Sequence, residues 1–243
     1  SLITFGPEDD AGGAAKAFER YDLVSVPVID ADRRVLGRVT IADMVDQIRE
    51  ESEAEILSNA GLREGEDIFA PVFQAVKNRW AWLAINLITA FAASRVIGLF
   101  EGSIERLVAL AALMPIVAGI GGNAGNQTIT MIVRAIAMGQ VKPRALWRLL
   151  AKELGVALIN GLVWGGVIGL VAWWLYGNGE LGLVMTAAMT LNLLLAATAG
   201  VTIPLMREKF GRDPALGSSV LITALTDSGG FFIFLGLATI FLM

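Results

Sequence analysis

The sequence contains no cysteine and no histidine. Thiolate and imidazole metal sites, disulfide frameworks, Ser-His-Asp triads and cysteine nucleophiles are therefore excluded. Any metal chemistry must use oxygen ligands, which favours hard cations such as magnesium, calcium or manganese. Charge is also scarce. Only 17% of residues are charged, against about 25% in an ordinary soluble domain. There is no signal peptide and no initiator methionine, so the chain is expected to begin inside a longer protein.

What is present is unevenly placed. Residues 1–79 hold 16 of the 23 acidic residues and 9 of the 19 basic ones, a net −7, whereas residues 80–243 net +3. The second part also holds nearly all the long apolar runs. Two units are expected, an acidic soluble one and a membrane one.

A membrane-crossing helix needs about 20 mostly apolar residues. Five stretches qualify, at about Trp80–Phe100, Leu107–Ile132, Leu149–Tyr176, Leu181–Met206 and Pro214–Leu242. Basic residues gather on one side of them. Lys77 and Arg79 precede the first span. Arg134, Lys142, Arg144, Arg148 and Lys152 lie between the second and third, and Arg207, Lys209 and Arg212 between the fourth and fifth. The opposite loops hold only Arg106. The positive-inside rule then places the N-terminus in the cytoplasm and the C-terminus outside. In the third span Gly161, Gly165 and Gly169 recur every four residues, the pattern of one helix face that another backbone approaches closely.

Polar residues inside the spans narrow the function. A carboxylate at the centre of a membrane helix costs about 2.5–3.5 kcal/mol and usually faces a cavity or a partner. Asp227 lies midway along the fifth span, and no lysine or arginine lies in the central part of any span. A mobile cation is the expected counter-charge. A protonated Asp227, hydrogen-bonded to a neighbouring helix, is the structural alternative. Thr223 lies four residues earlier on the same face. Asp213 and Pro214 read as an N-cap and a first helical residue, and an acidic cap at a pore mouth also concentrates cations. The run Gly119–Gln127 packs four glycines, two asparagines and a glutamine into an apolar span that also contains Pro115. It suggests a broken helix with Gly121, Gly122, Asn123 and Asn126 lining a pore. A kinked helix whose polar groups tie helices together is the other reading.

In the acidic half, Leu2–Phe5 suggests a short strand. Ala14–Arg20 reads as a helix, Leu23–Ile29 and Val35–Val39 as strands around the turn at Asp30, and Ile41–Arg49 as a helix capped by Thr40. An acidic helix follows at Gln47–Leu57, rich in Glu50, Glu51, Glu53 and Glu55. By itself such a run reads as a solvated face, with a weak cation site as the alternative.

These residues carry a family resemblance. Gly121-Gly122-Asn123-Ala124-Gly125-Asn126-Gln127 closely resembles the signature of the MgtE family of magnesium channels. So do Phe73-Gln74-Ala75-Val76-Lys77-Asn78-Arg79-Trp80, Gly98-Leu99-Phe100-Glu101 and Thr226-Asp227-Ser228-Gly229. Val26–Asp30 together with Val39–Asp43 looks like the end of a CBS domain. The likeness spans essentially the whole chain. It implies a mainly α protein, with a partial α/β CBS-type domain (1–50), an acidic connecting helix region (51–79) and a five-helix pore domain (80–243). It implies a homodimer in the cell's inner (plasma) membrane, with its N-terminus cytoplasmic and no nucleic-acid partner. The protein would not be an enzyme.

The transported ion would be Mg2+, with other divalent cations as further candidates. Asp227 would hold a hydrated ion through its water shell, which suits an ion that dehydrates reluctantly. Thr223 would line the path and Asp213 would sit near the cytoplasmic entrance. Asp10, Asp22, Asp43, Asp46, Glu51 and Glu55 match sensor positions at which intracellular magnesium favours closure. Gly12, Arg49 and Ala54 stand where further sensor carboxylates are expected, and the likeness begins near the end of the family's usual pair of CBS domains. The rival reading is a proton-coupled transporter of another solute, built on a broken second helix and a protonatable Asp227. A membrane-tethered CBS sensor without transport is a third.

Overall fold

A computed structural model describes residues 3–59, 61–62, 68–141, 146–215 and 217–243. Leu2, Lys142 and Arg144 lie outside the described residues, as do the side chains of Glu51 and Glu55. The chain divides into two compact units, Ser1–Ala70 and Pro71–Met243.

The N-terminal unit orders its elements as helix, strand, strand, helix: α1 (Ala11–Tyr21), β1 (Ser25–Ile29), β2 (Val35–Thr40) and α2 (Ile41–Asn59). The two strands pair antiparallel with Val26 opposite Val39. The turn between them is held by Asp30, whose Oδ1 accepts from the N–H groups of Asp32 (2.9 Å) and Arg34 (2.8 Å). This Asx arrangement closes the turn while Arg33 takes a left-handed conformation. Phe18, Val26, Ala14, Ala15 and Met44 form the small core, with Phe5 stacked on Phe18 at 6.1 Å. The strand suggested near residue 5 reduces, among the described residues, to one parallel bridge from Phe5 to Val28. The capped helix at Ile41 and the acidic helix after it are one continuous helix, because nothing between Arg49 and Glu51 breaks the hydrogen-bond ladder.

The second unit is helical: α3 (Val72–Gly98), the short α4 (Glu101–Arg106), α5 (Ala109–Ala137), α6 (Leu146–Tyr176), α7 (Gly179–Lys209) and α8 (Ser218–Leu242). Four of these, α3, α6, α7 and α8, are long and apolar enough to cross a membrane. α5 is equally long, with its apolar run diluted by the glycines, asparagines and glutamine of 119–127. α7 is the central post, packing against α5, α6 and α8, while α3 packs on α8. α7 can occupy the centre because its buried face is rich in small residues, among them Ala188, Ala196, Ala199 and Gly200.

The glycine ladder of α6 meets this post. A Cβ on Gly161 would come 2.6 Å from the Thr190 Cα, and one on Gly165 would come 2.9 Å from the Thr186 carbonyl oxygen. Gly169 lies against the backbone of Gly182, which has no side chain either. The repeat therefore packs α6 onto α7, as its spacing suggests. The Thr186 hydroxyl donates across the same seam to the Gly165 carbonyl at 3.0 Å. Elsewhere Ser103 of α4 and Thr239 of α8 share a hydrogen bond of 2.7 Å.

Two expectations are corrected. α5 is not broken: it runs continuously from Ala109 to Ala137 with Pro115 inside it. Away from Pro115, which has no N–H to give the Ala111 carbonyl, the helix satisfies its own backbone, and an apolar surround favours that over exposed backbone. α8 also starts later than Pro214, at Ser218. Residues 213–215 form a separate turn, in which the Asp213 Oδ1 accepts from the Ala215 N–H at 2.8 Å. The side chain that would have capped a helix at Pro214 is engaged in that turn instead.

Candidate functional site

α8 presents Thr223 and Asp227 one turn apart. The Thr223 hydroxyl donates back to the Ser219 carbonyl at 2.9 Å, which leaves its oxygen lone pairs facing outward. Asp227 is half-buried and has no hydrogen-bond or ion-pair partner among the described residues. A carboxylate in this position is open to a cation arriving from outside the chain. The neighbouring Thr226 is fully buried and donates to the Ile222 carbonyl at 2.9 Å.

α5 lies directly behind this turn because it carries glycine where α8 approaches. A Cβ on Gly122 would touch the Thr226 Oγ1 at 3.6 Å, and one on Gly125 would run into the Ile222 side chain. Gly121 faces Asn192 of α7 in the same way. Gly121 and Gly122 are thus buried within the helix packing of a single chain. Asn123, on the other side of α5, is exposed and Asn126 is half-buried. Of the four residues expected to face a pore, the two asparagines are the ones whose side chains lie on the open flank.

Asp213 is exposed at the end of the α7–α8 connection, where its carbonyl accepts from the Arg207 Nε at 2.9 Å. It lies five residues before the first residue of α8.

The acidic residues of the N-terminal unit are separately employed. Asp10 is the N-cap of α1 and accepts from the Gly13 N–H at 2.8 Å. Asp22 ends that helix in a left-handed conformation, φ 48°. Asp43 forms a reciprocal cap with Thr40: its Oδ2 accepts from both the Thr40 N–H and hydroxyl, each at 2.8 Å. These bonds, the backbone one foremost, hold the Asp43 carboxyl below its ordinary range. Asp46 is exposed on α2. Among the described residues, no three acidic side chains converge on a point that could hold a metal ion.

Among the buried polar side chains that the sequence did not single out are an amide and a carboxylate. Asn192 of α7 is fully buried. Its Nδ2 donates to the Val117 carbonyl at 2.9 Å, while its Oδ1 has no partner among the described residues. It is wedged between Gly121 of α5 and Gly230 of α8, so those two glycines make room for an amide. Glu153 of α6 is 6% exposed, with its Oε1 3.3 Å from the Lys152 Nζ and its Oε2 3.3 Å from the Thr128 Oγ1. The glycine ladder itself could have signalled Glu153. Continued backward in steps of four, it passes Ala157 and reaches that carboxylate.

Known proteins place the arrangement. Residues 1–50 match the CBS domain model. The chain is 30% identical over 243 residues to the magnesium transporter MgtE of Bacillus subtilis, which covers 99% of this chain and 53% of that protein. It is 32% identical to the magnesium transporter MgtE of Enterococcus faecalis, over 99% of this chain and 53% of that one. With the magnesium transporter MgtE of Thermus thermophilus it shares 31% identity, over 97% of this chain and 52% of that one. The chain therefore spans about half the length of these curated relatives. Residues 114–237, from α5 through most of α8 and including Asp227, match the divalent cation transporter model, and the chain belongs to the MgtE family.

Proposed function

We propose that this chain forms the pore and part of the sensor of a magnesium channel, and that it is not an enzyme. The observation that carries this reading is Asp227, a half-buried carboxylate without a partner among the described residues, in the middle of a helix apolar enough to cross a membrane. A hydrated Mg2+ would be held there through its water shell, with the Thr223 oxygen on the same path and Asn123 and Asn126 on the adjoining flank of α5. Gly121 and Gly122 serve the pore from behind, by letting α5 lie close to α8. Asp213 concentrates cations at the cytoplasmic mouth.

α5 joins α3, α6, α7 and α8 as a fifth span of the inner membrane, with the N-terminus cytoplasmic, as the basic loops favour. Two chains complete the pore. The broad apolar exposure of α3, including Leu87, Ile88 and Phe91, supports a unit that is covered by lipid and by a second copy. Residues 1–50 act as the CBS part, 51–79 as the connecting region and 80–243 as the pore. The membrane potential supplies about 2.3 kcal/mol per charge per 100 mV, doubled for a divalent ion.

Magnesium influx into proteoliposomes tests the pore. Asp227→Ala is expected to abolish it, and an unchanged influx would sink the assignment. The proton-coupled alternative was built on a broken second helix and a protonatable Asp227; α5 is continuous, which removes the first of these supports. Gating is assigned to Asp10, Asp22, Asp43, Asp46, Glu51 and Glu55. Asp43 can take part because its cap uses only Oδ2 and leaves Oδ1 open. Neutralising Asp22, Asp43, Glu51 and Glu55 together in the full-length protein should let influx persist at high internal magnesium. Normal shut-off in that variant would count against them.

A further inference from the structure

Between α5, α6 and α7 lies a crevice of about 170 Å³ in which Glu153 is the buried charge. Asn160, seven residues along, shares its face of α6, and Gln127 and Thr128 enter from α5. Leu193 and Ala197 of α7 form an apolar wall. Gln127 and Asn160 are exposed and make no hydrogen bond among the described residues. Polar side chains on helices of this length and hydropathy require water or a ligand.

The carboxylate itself is under-satisfied. It has room for about four hydrogen bonds or cation contacts. Among the described residues it receives two long ones, each 3.3 Å, from Lys152 and Thr128. The lysine is a loose partner, since consecutive residues on a helix do not face each other. Lys152 reaches Glu153 only by curling round its own helix, and its side chain remains 57% exposed.

We infer that this crevice is a second cation site, separate from Asp227. Glu153 supplies the charge, Thr128, Gln127 and Asn160 supply neutral oxygens, and Lys152 is a tethered surrogate that a divalent cation displaces. The donor set is all oxygen, as a hard and partly hydrated cation prefers. With one carboxylate and neutral oxygens the site holds its ion weakly, and the returning ammonium speeds release. Only the identity of the cation rests on the transport reading.

The test reads Lys152 directly. The full chain in lipid nanodiscs is treated with an amine-acetylating reagent at matched ionic strength, with Mg2+ or with EDTA, and acetylation of Lys152 is followed by mass spectrometry. Mg2+ should raise the Lys152 labelling rate several-fold. In Glu153→Gln labelling should be fast and independent of Mg2+. In Asp227→Ala the response should persist, so loss of flux and loss of this site are distinguishable. As a second measurement, Lys152→Met placed in the Asp227→Ala background should bind Mn2+ about fivefold more tightly by spin resonance, because the competing ammonium is gone. Labelling of the wild type that ignores Mg2+, a Mg2+ response retained in Glu153→Gln, or unchanged Mn2+ affinity in Lys152→Met would each overturn the proposal. Glu153 and Lys152 would then be a structural ion pair only.

Discussion

The two units use the same chemical group for opposite ends. In the N-terminal unit carboxylates are plentiful, exposed and occupied by nearby backbone: Asp10 caps α1, Asp30 closes the β-turn and Asp43 caps α2. In the helical unit carboxylates are few. Among the described residues, Asp227 is left without a partner and Glu153 is held by two long contacts. An exposed carboxylate on a helix end stabilises by about 0.5–2 kcal/mol and is at little risk, because water stands by. A carboxylate among apolar helices has no such reserve, so one kept there faces a cavity or a partner. The number of acidic residues in a region therefore says little about where a cation matters. Their unmet bonding capacity says more.

That contrast breaks first at Asp227. Its removal should reduce magnesium influx to the protein-free level, whereas Asp46→Ala, an exposed carboxylate of the other unit, should leave conduction itself intact. Next in size are the close helix contacts. Gly161→Val forces a side chain against the Thr190 backbone and should destabilise the helical unit by about 1–3 kcal/mol. Gly155→Ala and Gly166→Ala on the same helix have open space and should be neutral or gain up to about 1 kcal/mol from helix propensity. Thermal melting in detergent separates the two sets, and equal losses would contradict the packing.

Smaller still is the capping of α1. Asp10→Ala should cost about 1 kcal/mol of N-terminal-unit stability, read by hydrogen exchange across α1 in the full chain. The finest effect is a pH dependence. Asp43 has a lowered carboxyl in the folded state relative to its unfolded value of 3.8. Its contribution is therefore present above that value and is lost as pH falls through the lower folded value. Asp43→Asn should flatten the acid limb of the exchange profile of α2 below about pH 4.

Much of this architecture was legible beforehand. The strands around Asp30, the Thr40 cap, the apolar lengths of the later helices and the packing role of Gly161, Gly165 and Gly169 all follow from local pattern. The family signature singled out the region of α5 and α8 that approach each other. The character of Gly119–Gln127 was not legible. A run of glycines with asparagines is compatible with a broken helix or with a continuous one that neighbours approach closely, and the choice depends on whether a partner helix has something to insert. Here α7 inserts Asn192 and α8 inserts Ile222 and Thr226. The late start of α8 was hidden for a similar reason: Asp213 can cap a helix or close a turn, and both need the same side chain.

The sequence by itself determined where the long apolar runs of α3, α6, α7 and α8 lie, on which side of them basic charge collects, and that a cation must be met by oxygen. These are properties of single residues and their order. Only the tertiary structure decided that Gly121 and Gly122 face inward while Asn123 faces out, that Asn192 is clasped between two glycines, and that Glu153 and Asn160 open into one crevice with Gln127 and Thr128. Burial and unmet hydrogen-bonding capacity belong to pairs of surfaces, so they exist only once helices distant in the chain have packed.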